Sequence, residues 1–221
     1  MKDDILLQPR FLLEIVLLAV IVLDARLTFP ELVERAQVIL LLVVFAWAVY
    51  LINTLLLGEV LNQLGIRPRN LCGLVGIPFH GFLHNDAGHL VRNTEAFFLL
   101  GGRLILLRGI QDFTVVSLVA LFVSGLGIWL FARDGNHLGA SGVILGYFGF
   151  LLLRGYFERN ALSAILSILM IALYSTTLWG VLPSDDQKIS WEGHLFGFFG
   201  GAIAASFLET LRIIVPNIRL F

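Results

Sequence analysis

A single cysteine, Cys72, leaves an internal disulfide nothing to join and supplies too few thiolates for a cysteine-based zinc cluster. Charge is scarce too. Only 14% of the 221 residues are Asp, Glu, Lys or Arg, and their formal sum is −1. No basic stretch offers a surface to nucleic acid or another polyanion. Long polar segments are missing as well. Every gap between apolar runs is short, so no soluble domain is visible. The chain is instead 58% hydrophobic, with a mean hydropathy of +0.90. A soluble domain of this size cannot hide so much apolar surface, so its solvent is lipid. This composition predicts one compact, all-α polytopic membrane bundle.

A helix needs about 20 apolar residues to cross the hydrocarbon core. Runs at 38–57 and 113–132 are long enough and carry no charge. The runs at 135–153 and 160–183 follow, and a shorter one at 193–208 sits between Glu192 and Glu209. A sixth span, from about 84 to 104, carries Asp86, Arg92 and Glu95 in its first half. Charges inside a span are costly and usually face a bundle interior or water, so this helix is expected inside the bundle with a wet cavity along its polar half. The domain reading is then an N-terminal extension at 1–35, a six-span core at 36–210 and a short tail at 211–221. Residues 11–27 can form a seventh span, an interfacial helix or an uncleaved signal-anchor, with an added span slightly favoured. Arg103, Arg108, Arg154, Arg159, Arg212 and Arg219 outnumber Arg133 and Lys188 on the opposite side. Arg67 and Arg69, in the first loop, run against this trend. The positive-inside bias therefore puts the C-terminus in the cytoplasm. The short loops suggest a prokaryotic plasma membrane.

Three spans then bring polar residues to one depth near the outer face. His89 and Asn93 are four apart and share a helical face. Ser141 opens the fourth span and His194 the sixth. Gly197 and Gly201 continue the His194 stripe, while Gly142, Gly146 and Gly149 form a second stripe beside Ser141. Facing small-residue stripes let membrane helices approach closely. If these two face each other, Ser141 and His194 meet at the top of the contact. Such stripes are also common as plain packing motifs.

The Ser–His pair has a direct chemical logic. A serine hydroxyl becomes nucleophilic when a base within hydrogen-bond reach takes its proton, and neutral imidazole can do this near pH 7. The oxyanion needs donors, which Asn93, His89 and the Ser141 N–H can supply. Glu192 lies two residues from His194 and points elsewhere on the helix, so a dyad is expected.

These residues resemble the rhomboid family of intramembrane serine proteases. "HNDAGHLVRN" resembles its His-x-x-x-Asn signature, "GASG" its Gly-x-Ser-Gly and "GHLFGFFGG" its final His-x-x-Gly-x-x-x-Gly helix. Gly-x-Ser-Gly alone is weak, but the three in this order on the second, fourth and sixth spans are highly specific. The resemblance implies Ser141 as nucleophile and His194 as base. It implies an oxyanion site of His89, Asn93 and the Ser141 N–H. His84, Gly139 and Gly142 lie near that site. The implied substrates are transmembrane proteins whose helix unwinds near the membrane boundary, with no cofactor. Three departures stand out. The first loop lacks a Trp-Arg pair. Leu145 stands where many members have an aromatic packed on the base, with Tyr147 two residues on. Arg92 directly precedes Asn93. The rival function is a catalytically inactive member that binds membrane clients. A transporter is disfavoured by the absence of an internal repeat.

Other readings are blander. His80 and His84 share a helical face, but no carboxylate cluster joins them, so no metal site is expected. His80 reads as a boundary histidine. His137, four before Ser141, reads as a residue that caps or orients that helix start. Arg92 and Asp86 are candidates for the wet wall. Trp129, Trp179 and Trp191 read as interfacial belt. Asn53 and Thr54 read as interhelical hydrogen bonds.

Overall fold

The computed structural model describes residues 27–159, 161–178, 181–183 and 190–215. Its first helix, α1, runs Phe29–Leu55. Thr28 and Glu31 start it with a reciprocal capping box, and Pro30 supplies a fixed φ where an N–H is not needed. The helix therefore begins well before the uncharged run at 38–57. A loop follows, with a 3-10 turn at Val60–Leu64, a short helix α2 at Leu71–Leu74 and a second 3-10 turn at His80–Phe82. Asn53 is buried, but it bonds this loop rather than another membrane helix. Its amide donates to the Asn62 side chain at 2.9 Å and its carbonyl oxygen accepts from Leu61 N at 2.9 Å. Thr54 is exposed.

Helix α3 covers Ala87–Ala96 and passes through a π turn at Phe97–Gly101 into α4, Gly102–Phe131. Together they form an apolar segment of 45 residues. At 1.5 Å per residue that is about 67 Å, twice what one crossing needs. The segment accordingly breaks at Gly109, whose φ of 82° and ψ of 177° are non-helical. The break frees backbone carbonyls, and Arg35 of α1 donates to those of Leu106 at 2.7 Å and Ile105 at 3.3 Å. The break divides the segment between the apolar runs at 84–104 and 113–132.

Helix α5 is Ser141–Glu158, α6 is Ala161–Leu178 and α7 is Trp191–Ile214. By length and composition, three segments are long and apolar enough to cross a membrane: Phe29–Leu55, Ala87–Phe131 and Trp191–Ile214. No strand occurs among the described residues. The protein is an all-α polytopic helical bundle. Its core is α4, α5 and α7, with α5 against α7 the most extensive pair. Tyr147, Phe148, Phe150, Leu104, Val115 and Val116 pack at its centre. Helix α1 touches this core lightly. The apolar run of the first 30 residues lies almost wholly outside the described residues, as does Trp179.

Candidate active site

Ser141 is the first residue of α5, preceded by Ala140 in a near-helical conformation. Its N–H sits among the first four of the helix, which have no intrahelical acceptor. His194 lies one turn into α7, and its N–H donates to the Ser190 carbonyl at 3.1 Å. Both side chains are partly exposed.

The two glycine stripes face each other. A methyl group at Gly142 would stand 3.0 Å from the Gly193 carbonyl oxygen, and one at Gly146 would stand 3.0 Å from that of Gly197. In the other direction, methyls at Gly197 and Gly201 would collide with the carbonyls of Gly142 and Gly146. Gly149 meets the Phe198 carbonyl. The helices thus touch backbone to backbone, and the contact begins at the residue after Ser141 and the residue before His194.

The second half of the site comes from α3. Asp86 caps this helix by accepting from His89 N at 2.7 Å. One turn on, buried Asn93 donates from Nδ2 to His84 Nε2 at 2.9 Å. The His84 and His89 rings meet edge to face at 5.1 Å. Gly139 joins this group to Ser141. Its φ of +114° suits glycine alone, and an added Cβ would stand 2.6 Å from His89 Cε1 and 3.2 Å from Asn93 Nδ2. His194 is within electrostatic reach of His89. His84, His89, Asn93, Gly139 and Ser141 therefore gather on one side of the α5–α7 contact, with His194 on the other.

Some expected placements differ. Arg92 and Glu95 lie on the exposed face of α3, and Asp86 is exposed at its cap. Only Leu90 and Asn93 of that helix are buried. The charges stay outward because burying them unpaired is costly. The cavity that His84 and Asn93 border is about 640 Å³ and lined mainly by apolar side chains of α1, α4 and α5. His80 lies in the first loop, as expected, but is buried. It is 1% exposed, with Nδ1 donating to the Ile77 carbonyl at 2.8 Å. Tyr147 does not stand in for the aromatic absent at Leu145. Its hydroxyl meets Ser117 Oγ at 2.8 Å among Phe97 and Phe113, away from His194. Glu192 pairs with Arg133 Nε at 2.9 Å. His137 does not cap α5. Its ring bonds Ser190 and the Arg133 carbonyl.

A family model of the rhomboid domain matches residues 71–210. The chain belongs to the rhomboid family. With its apolar helices, this rhomboid protein is an integral membrane protein. The matched range holds both α5 and α7, and α1 lies before it. An uncharacterized protein of Mycobacterium tuberculosis is 35% identical over 188 residues, covering 81% of this chain and 78% of that protein. An uncharacterized protein of Mycobacterium bovis matches to the same extent. A Bacillus subtilis protein named as a candidate rhomboid protease is 29% identical over 120 residues, 54% of this chain and 59% of that protein.

Sequence reasoning overlooked Ser190 and the partners of Arg133 and Glu192. A serine before a helical run is an ordinary start signal. Nothing in the sequence says that its hydroxyl turns to a histidine more than fifty positions earlier.

Proposed function

We propose that this rhomboid protein is an intramembrane serine endopeptidase that cuts transmembrane substrates near the outer membrane boundary. Ser141 Oγ attacks the scissile carbonyl while the His194 imidazole takes its proton. The Ser141 N–H, Asn93 Nδ2 and His89 donate to the oxyanion of the tetrahedral intermediate. Collapse breaks the C–N bond, and His194 returns the proton to the leaving amine. Water then loses a proton to His194 and attacks the acyl ester, releasing the second fragment and restoring Ser141. Glu192, the acid nearest the base in sequence, is engaged by Arg133.

The observation that carries this reading is the backbone contact of Gly142 with Gly193, each adjacent to one member of the dyad. Only glycines allow so close an approach, and a bundle needing no more than cohesion could hold these helices further apart. Support for an outward site comes from the far end of the bundle, where Arg108, Arg154 and Arg212 cluster, as the cytoplasmic end of a membrane protein does. Bacterial relatives fit a prokaryotic plasma membrane.

The test is labelling of the full chain in lipid by a fluorophosphonate serine probe. Wild type should be labelled, and Ser141→Ala and His194→Ala should not. A folded wild type that stays unlabelled would favour an inactive, client-binding protein.

A further inference from the structure

We propose that His137 is a positioning residue whose ring sets the His194 helix against Ser141. The inference rests on reading Ser141 and His194 as the dyad. Both ring nitrogens are engaged. Nε2 lies 3.0 Å from the Arg133 carbonyl oxygen, which can only accept, so Nε2 carries the proton. In the neutral ring Nδ1 is then an acceptor, and the Ser190 hydroxyl donates to it at 2.8 Å. One tautomer is held by two partners, one in the loop itself and one at the start of α7.

Ser190 is the telling partner. It occupies the N-cap of α7, where a serine ordinarily accepts from the N–H of the first turn. Here its side chain makes no cap hydrogen bond and goes to His137 instead. A cap is typically worth about 1 kcal/mol, so the helix forgoes stability to make this contact. The Ser190 carbonyl meanwhile accepts from His194 N at 3.1 Å. A shift of Ser190 therefore moves the turn that carries the base.

His137 is itself fixed. It exchanges both backbone hydrogen bonds with Ile66 of the first loop, at 3.1 and 2.9 Å. Four residues on, the chain reaches Ser141 through Gly139, whose N–H donates to the His80 carbonyl at 2.9 Å. The Arg133–Glu192 pair supplies a second tie between the same two segments. That pair joins the start of the loop to α7. His137 joins the part of the loop nearest the nucleophile. Losing its ring frees the segment whose hinge is a glycine, and a displacement of about 1 Å at a reacting pair can cost a hundredfold in rate.

The test uses the full chain in lipid and the fluorophosphonate probe. It separates the labelling rate constant at saturation from the half-saturating probe concentration. Ser190→Ala and His137→Ala should each lower the saturating rate between about tenfold and a hundredfold, with half-saturation unchanged. Ser190→Thr, which keeps the hydroxyl, should restore it, which a fold merely weakened at this position would not require. The double variant His137→Ala/Ser190→Ala should be no slower than His137→Ala. Labelling of Ser190→Ala at the wild-type rate overturns the proposal, and so do losses that multiply in the double variant. A folded wild type that is not labelled overturns the dyad, and the proposal with it. A labelled wild type with unaffected Ser190→Ala overturns the proposal alone.

Discussion

Asn93 has two amide hydrogens, and His84 takes one of them. In the proposed reaction the second is left for the oxyanion, and the bond to His84 orients it. Asn93→Ala is therefore expected to slow turnover by about 10²–10³, the usual cost of one oxyanion donor, while labelling at Ser141 persists at a reduced rate. Turnover at the wild-type level would reduce Asn93 to a packing contact. His80 supports a different prediction. Burial pushes its imidazolium down to about 4 from an ordinary 6.5. Below pH 6.5 the unfolded chain takes up a proton that the folded chain refuses, so stability falls as pH drops toward 4. The slope is at most about 1.4 kcal/mol per pH unit. Melting curves between pH 7.5 and 4.5 should show this fall, and His80→Gln should flatten it. Parallel slopes in the two proteins would mean that His80 protonates freely when folded. Ser141, His194, His89 and Asn93 could be singled out as candidates in the sequence because short motifs on three separate helices mark them. His80 could not. Its burial depends on a loop folding back under α5, and no local pattern encodes that path.

Helices α5 and α7 depend on glycine for their separation, and the dependence is local. A methyl at Gly201 would collide with the Gly146 carbonyl and stand 2.7 Å from Phe150 N, both of them backbone atoms that cannot swing aside. Gly102, by contrast, is helical and has open space around its Cβ position. Gly201→Ala should push the helices apart, costing about 1–3 kcal/mol and most of the activity. Gly102→Ala should gain up to about 1 kcal/mol and leave activity unchanged. Unfolding midpoints and probe labelling of the two variants check the pair. A Gly201→Ala protein as stable and as reactive as wild type would mean that the helices do not approach so closely. These stripes were readable because a period near 3.6 exposes them. The π turn after α3 was not, since "FFLLG" looks the same in any helical form. The early start of α1 was hidden as well. Glu31, Glu34 and Arg35 interrupt the apolar pattern, and the capping box that overrides them involves single residues.

Across the whole molecule the polar chemistry is divided between two ends. One end holds Ser141, His194, His89 and Asn93. At the other, Arg108 bonds Asp112 at 3.1 Å and Glu158 at 2.7 Å, while Arg212 bonds Asp112 at 2.7 Å and Glu209 at 2.8 Å. Arg154 reaches Glu158 at 2.9 Å and the Ala205 carbonyl at 2.9 Å. This network joins α4, α5 and α7 where the glycine stripes have ended, so the helices are held by backbone contact above and by charge below. The order of the apolar runs and the arginine bias of one end were visible in the sequence. The pairing of these charges was not, because Arg212 lies 100 positions from Asp112. Acidic partners do not cancel the topological signal, since orientation follows Lys and Arg in short loops rather than net charge. The Arg-rich end should therefore face the cytoplasm. A C-terminal reporter that fluoresces only in the cytoplasm is expected to light up in a bacterial host, and a C-terminal phosphatase that folds only outside is expected to stay silent. The reverse pattern would turn the molecule over and put Ser141 and His194 near the inner face. Moving Arg212 and Arg154 to Gln should weaken the preference without touching the dyad, because both lie at the far end of helices that meet at Gly142 and Gly193.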